Sequence, residues 1–231
     1  MVGIVPMKVL CTNGLKSVML DLAPALERES ASPLAMVWGA TVGLAQDIAA
    51  GADADLAILT AEAVDDLIAR GKAVAGSRVD LARSGIGVAV RKGARKPDIG
   101  SPEALRSALL AAGSVAHSKS GQSGIYFPSV LERLGIAREM KPKLIVPDTG
   151  VAIGELVAKG EAEIGIQQIS ELLPVPGVEI VGPLPAPLQK ITIFSAGVPA
   201  AARDPRVAQA LAQLIASASR PLLAAKGLEL P

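Results

Sequence analysis

Residues 37–59, VWGATVGLAQDIAAGADADLAIL, hold a strand end, a turn, a helix and the next strand with almost nothing between them. The turn Gly39-Ala40-Thr41-Val42-Gly43 carries no charged side chain and a single hydroxyl. The first N–H groups of a helix have no partner within it, and the helix dipole makes that end positive. A turn of small residues lets an anion approach those donors closely. The stretch therefore reads as a β-α-β unit whose bare turn faces a ligand.

The same pattern recurs along the chain. Short apolar runs at 7–11, 34–38, 55–59, 86–91, 114–117, 143–146, 163–167, 178–181 and 190–196 read as strands. Helical patterns fill 14–29, 42–50, 61–70, 102–112, 123–134, 150–159 and 204–225. Ser101, Pro102 and Gly113 punctuate one of these helices, and Gly160 stops another. Strand-helix alternation predicts an α/β protein with largely parallel sheets. Two stretches look like crossings between lobes: VDLARSGIGVAV (79–90) and the proline-rich GPLPAPLQKITIFSAGV (182–198). They divide the chain into lobe 1, residues 1–84 with 191–231, and lobe 2, residues 85–190. Ligands bind outside the carboxyl ends of strands in such sheets, so a cleft between the lobes is the expected site.

Composition narrows the chemistry. The chain has 231 residues, half of them apolar, and a formal net charge of +1 from 23 basic and 22 acidic side chains. Mean hydropathy is +0.44. No basic block or interleaved aromatics suggest nucleic acid, and aromatic residues make up only 2% of the chain. The one cysteine, Cys11, rules out an intrachain disulfide and reads as a small buried residue at a strand end. One histidine and one cysteine cannot build a His-rich or thiolate zinc site, and no cofactor motif is present. No apolar run approaches the ~18 residues a bilayer span needs, so no membrane insertion is expected. The start, MVGIVPMKVLCTNG, reads as a first strand rather than a signal peptide, which places the chain as written in the cytoplasm.

Four strand-to-helix turns are rich in small polar residues: CTNGL (11–15), GATVG (39–43), HSKSGQSG (117–124) and PDTGV (147–151). Two precede the proposed crossing and two follow it. Their candidate ligand-binding residues are Thr12, Asn13, Gly14, Thr41, Val42, Ser118, Lys119, Ser123, Gly124, Thr149 and Gly150. The SGQSG run has the wrong spacing for a serine-hydrolase elbow.

With these turns in place, the sequence resembles the molybdate-binding-protein-like branch of type II periplasmic solute-binding proteins. The resemblance runs through MKVLCTNGLKSVMLDL (7–22), GATVGLAQDIAAGADADLAIL (39–59), SVAHSKSGQSGIYFPSVLERLGI (114–136) and ELVAKGEAEIGIQQISEL (155–172). It implies two α/β lobes joined by a two-stranded hinge, an anionic ligand, a partnership with an ABC transporter, and a periplasmic location if a leader precedes the chain. It also marks departures. Asn13 stands where molybdate binders offer a serine hydroxyl, Ala40, Thr41 and Val42 replace serines of the second turn, and Gln168 replaces a tyrosine. Amides and a hydroxyl suit an organic carboxylate better than a compact tetrahedral oxyanion, with Lys119 and Lys190 as candidate counter-charges.

The branch is similar to aconitate isomerases of the same fold as well, which implies a second reading. An isomerase would take a proton from one carbon and deliver it to another, and His117, titrating near neutrality, is the candidate base. Lys119 and Tyr126 stand as alternatives. A ligand-sensing domain of a regulator is a third reading, but no DNA-binding segment remains outside the lobes.

Overall fold

The computed structural model describes residues 5–148 and 150–231. The chain forms two compact units. Met1–Arg83 with Thr192–Pro231 make unit 1, and Ser84–Ile191 make unit 2.

Unit 1 contains β1 (Met7–Thr12), α1 (Lys16–Ser30), β2 (Leu34–Gly39), α2 (Thr41–Ala49), β3 (Leu56–Thr60), α3 (Ala61–Ala69) and β4 (Val79–Ser84, which ends on the first residue of unit 2). Unit 2 contains β5 (Ile86–Arg91), α4 (Pro102–Ala111), β6 (Val115–His117), α5 (Gln122–Arg133), α6 (Ala137–Met140), β7 (Leu144–Ile145), α7 (Ile153–Lys159), β8 (Ile164–Gln168), α8 (Ile169–Leu172) and β9 (Val178–Pro183). The chain then returns to unit 1 with β10 (Thr192–Gly197) and α9 (Pro205–Ser219).

Each unit is built on one five-stranded sheet, ordered β2-β1-β3-β10-β4 and β7-β6-β8-β5-β9. The sheets are mixed, not largely parallel. β1 runs parallel to β2 and β3, and β6 parallel to β7 and β8, as right-handed crossovers through helices require. β10 is antiparallel to β3, and β5 is antiparallel to β8 and β9. β5 and β10 are the strands that open each new passage through a unit, so no crossover helix dictates their direction.

Helices cover both faces of the sheet in unit 1. Val9, Cys11, Ile58 and Phe194 pack with α1 and α9, while Leu10, Ala57 and Leu59 pack with α2 and α3. In unit 2, Val115, Ile164 and Ile166 face α4 and α5, and Ala116 faces α7. Cys11 is fully buried, and burial pushes its thiol far above the ordinary range, so it behaves as a core residue.

Three further differences from the sequence reading have local causes. β4 reads as a polar crossing because Asp80 interrupts its apolar pattern. That carboxylate is satisfied by Arg78 (2.8 and 3.0 Å) and by Ser195 Oγ of neighbouring β10 (2.7 Å). The last helix stops at Ser219 instead of 225, because Pro221 has no N–H to continue it, and short 3-10 turns follow. Helix α7 begins at Ile153 instead of 150, because Gly150 holds φ +101°, outside helical space.

Opposite the carboxyl edge of its sheet, unit 1 is pinned by one buried charge. Asp55, 3% exposed, accepts the backbone N–H of Lys8 (2.8 Å), the backbone N–H of Arg203 (3.3 Å) and the Arg203 guanidinium. The Arg203 hydrogen bond is the largest influence holding the carboxyl below its usual range, and burial opposes it.

Candidate functional site

In unit 1 the register pairs Thr12 with Gly39, so the turns after β1 and β2 sit side by side at the carboxyl edge. Thr12 and Thr41 are both buried, and Thr41 Oγ1 donates to Thr12 Oγ1 at 3.2 Å, tying the turns together. Asn13 is half-buried at the head of a 3-10 turn that leads into α1. Gly14 is buried, and a Cβ there would lie 2.3 Å from Phe194 Cζ, so the ring packs directly on the turn. Val42 is exposed, within the first turn of α2.

In unit 2, Val115 pairs with Leu144 on one side and Ile164 on the other, and His117 pairs with Ile166. His117, Ser118 and Gln168 therefore come to one carboxyl edge, where α5 also begins. Gln168 is buried at the end of β8. Ser118 Oγ and Ser123 Oγ are buried and have no hydrogen-bond partner, and Ser123 is 0% exposed. A Cβ on Gly124 would lie 1.8 Å from the Ser118 carbonyl oxygen, so the loop folds tightly against the start of α5. Lys119 is exposed. Lys190 lies with its Nζ 5.6 Å from the centre of the Tyr126 ring, and Arg133 donates to the Tyr126 hydroxyl at 3.2 Å. Tyr126 is thus held between two cations. Gly150 lies in the loop before α7, and Thr149 falls outside the described residues.

The helix starts differ in how they are capped. Thr60 caps α3 (3.3 Å), Ser101 caps α4 (3.1 Å), and Asp204 caps α9 (3.0 and 3.2 Å). Ala40 and Gly121 stand at the cap positions of α2 and α5 and offer no side-chain cap, and the same holds for α1, α6, α7 and α8. An uncapped start leaves its N–H donors for water or a ligand. A buried hydroxyl without a partner costs about 1–3 kcal/mol, which an anion accepting from it would recover.

His117, 5% exposed, closes β6 with its ring 5.4 Å from Phe127. Its Nδ1 is 3.0 Å from the Ser118 carbonyl oxygen, which only accepts, so Nδ1 carries the proton and Nε2 presents a lone pair. Burial pulls its pKa below the usual histidine value, against the opposing Ser118 hydrogen bond. The imidazole is neutral at pH 7 and fit to accept a proton.

Sequence reasoning passed over two features. Lys16 Nζ lies 5.7 Å from the ring of Trp38, beside Gly39, and the chain spacing of the two gives no hint of it. Gln167 Nε2 donates to Glu171 Oε2 at 2.9 Å, and because one lies on β8 and the other on the helix after it, the spacing of four in QQISE carried no helical signal. Among the described residues no cluster of His, Cys, Asp and Glu could hold a metal ion, and no helix is long and apolar enough to cross a membrane.

Comparison with known proteins agrees with this architecture. The profile of a family described as bacterial extracellular solute-binding protein matches residues 7–229. An aconitate isomerase from a Pseudomonas species is 36% identical over 216 residues, covering 90% of this chain and 81% of the relative. The molybdate-binding protein ModA of Escherichia coli (strain K12) is 27% identical over 181 residues, covering 77% of this chain and 70% of its own. Among solved structures, the periplasmic molybdate-binding protein of Azotobacter vinelandii superposes with a TM-score of 0.80 at 18% identity, covering 97% of this chain and 99% of that one. At that identity the likeness speaks for the fold alone.

Proposed function

The chain belongs to the bacterial extracellular solute-binding protein family, and from that premise we propose that it binds a small organic carboxylate at the carboxyl edges of its sheets. The observation that carries the reading is the uncapped start of α5, where two buried serine hydroxyls lack partners above a glycine that leaves no room for a side chain. Backbone N–H groups and hydroxyls aimed at one spot form a receptor for an anion's oxygens. Asn13, Thr41 and Gln168 support a carboxylate over molybdate, because they offer amides and a single hydroxyl where the molybdate-binding branch offers serines and a tyrosine. A relative called aconitate isomerase supports a di- or tricarboxylate. The chain would act outside the cytoplasmic membrane and hand its ligand to a transporter of the ABC class.

His117 favours a second reading in the same site. A neutral imidazole with Nε2 free to accept would remove a proton from one carbon of an unsaturated tricarboxylate and return it to another, shifting the double bond. A thermal-shift panel of molybdate, tungstate, sulfate, phosphate, citrate and cis- and trans-aconitate tests the ligand. Binding to the folded state alone adds about 2.7 kcal/mol at a hundredfold excess over the dissociation constant. Stabilisation by molybdate and tungstate alone would overturn the carboxylate. Aconitate incubated with the protein in deuterated water then tests the second reading by NMR. Isomerisation or exchange is expected to fall about 100-fold or more in His117→Ala if His117 is the base. An unchanged spectrum with wild-type protein leaves a binder.

A further inference from the structure

Where β8 gives way to α8, two buried polar side chains have unfinished hydrogen bonding. Gln167 Nε2 donates to Glu171 Oε2 at 2.9 Å, yet Gln167 Oε1 and Ser170 Oγ are buried without partners. Gln167 is 6% exposed and Ser170 2%. An ionised carboxylate only accepts, so it cannot satisfy the Gln167 carbonyl. A protonated carboxyl has one O–H to give. Directed at Gln167 Oε1, it completes an amide-acid pair with two opposed hydrogen bonds.

We infer that Glu171 is held as a neutral acid paired with Gln167, and that this proton keeps the Gln168 end of β8 receptive to an anion. The inference rests on the anion-binding reading of that edge. Burial points the same way, pushing the Glu171 carboxyl up to about 7 against the opposing Gln167 amide. The surrounding charges are engaged elsewhere. Helix α8 packs on α7, β5, β8 and β9. On α7, Glu155 and Lys159 pair with each other at 3.8 Å. On β9, Glu179 takes Lys96 at 3.8 Å and the Gly93 N–H at 3.2 Å. On β5, Arg91 is exposed, and β8 carries no charged residue.

Loss of the proton has two effects on the same strand end. It releases the Gln167 carbonyl, and it adds a negative charge bonded to the residue that precedes Gln168. Proton and anion are then reciprocally linked: each binds more tightly in the presence of the other. Glu171 is a positioning residue here, acting through Gln167 and through its charge.

Calorimetric titration with trans-aconitate between about pH 7 and pH 9 tests the linkage. His117, held below its usual value, titrates beneath that window. The wild-type Kd is expected to weaken by up to about tenfold per pH unit, with proton uptake read from buffers of different ionisation enthalpy. Glu171→Gln removes the charge but keeps an amide for Gln167, and its profile is expected to be flat with no uptake. Carbon-13 NMR of the free wild-type protein should show one glutamate carboxyl titrating near neutrality that Glu171→Gln lacks. A Glu171 carboxyl in the ordinary range, or a Glu171→Gln profile that follows wild type, overturns the inference. No binding of trans-aconitate at any pH overturns the functional reading instead, because the NMR titration needs no ligand.

Discussion

Gly124→Ala is expected to lower affinity for the anionic ligand by at least about 100-fold and to cost about 3 kcal/mol of stability. The added methyl would meet the Ser118 carbonyl oxygen at 1.8 Å and the Ser118 hydroxyl at 2.5 Å. Backbone cannot swing aside as a flexible side-chain tip can, so the 118–121 loop must move by more than an ångström. That displaces the bare helix start and both orphaned hydroxyls together. Gly182→Ala on β9, outside the candidate turns, is the matched control, since its added carbon meets only the tip of Ile99 at 3.5 Å. Affinity from calorimetry and midpoints from thermal unfolding separate the two losses. A Gly124→Ala variant that binds like wild type would remove α5 from the site.

The other large effect lies at the far end of the sheet in unit 1. Arg203→Ala leaves the buried Asp55 carboxylate with two backbone N–H donors and no cation. Breaking a buried pair typically costs about 3–5 kcal/mol, but Arg203 is 43% exposed and partly solvated already. A fall of a few degrees in Tm is therefore expected, less than for a fully buried pair. The pH dependence has a definite sign. Asp55 is held below its unfolded value, so its stabilisation is complete above that value and disappears as pH falls through the folded one. Arg203→Ala should thus show its full deficit at pH 6 to 7 and converge with wild type in acid. A deficit that persists unchanged at low pH would show that packing of the Arg203 stem, not the ion pair, carries the effect.

Much of this architecture was legible in the residues. Ile86–Arg91 and Pro102–Ala111 stand within a residue of where periodicity, cap and proline put them, because those signals are local. Strand direction was not legible. Whether β10 runs with or against β3 depends on the route the chain takes back from unit 2, which leaves no mark on Thr192–Gly197 itself. β4 escaped because its Asp80 is satisfied by Arg78 and Ser195, and Ser195 comes from a strand more than a hundred residues away. The candidate site divides in the same manner. The turn pattern picked out Ser123 and Gly124, while the family resemblance brought in His117 and Gln168. That the Ser123 hydroxyl lacks a partner, that Nδ1 of His117 is occupied, and that Glu171 sits under Gln167 are facts of packing.

The position of β10 also fixes the order in which the chain becomes complete during synthesis. Unit 2 lies in one continuous stretch, Ser84–Ile191, which carries all five strands of its sheet. Unit 1 begins first but waits with β3 and β4 unjoined until Thr192–Gly197 arrives between them. At about 5–20 residues per second, the intervening segment takes roughly 5 to 20 seconds to emerge. Over that interval the open edge of β3 is a surface to be guarded from misplaced pairing. A premature stop after Ile191 would leave the sheet begun first without its β10, while the sheet begun later would have all of its strands.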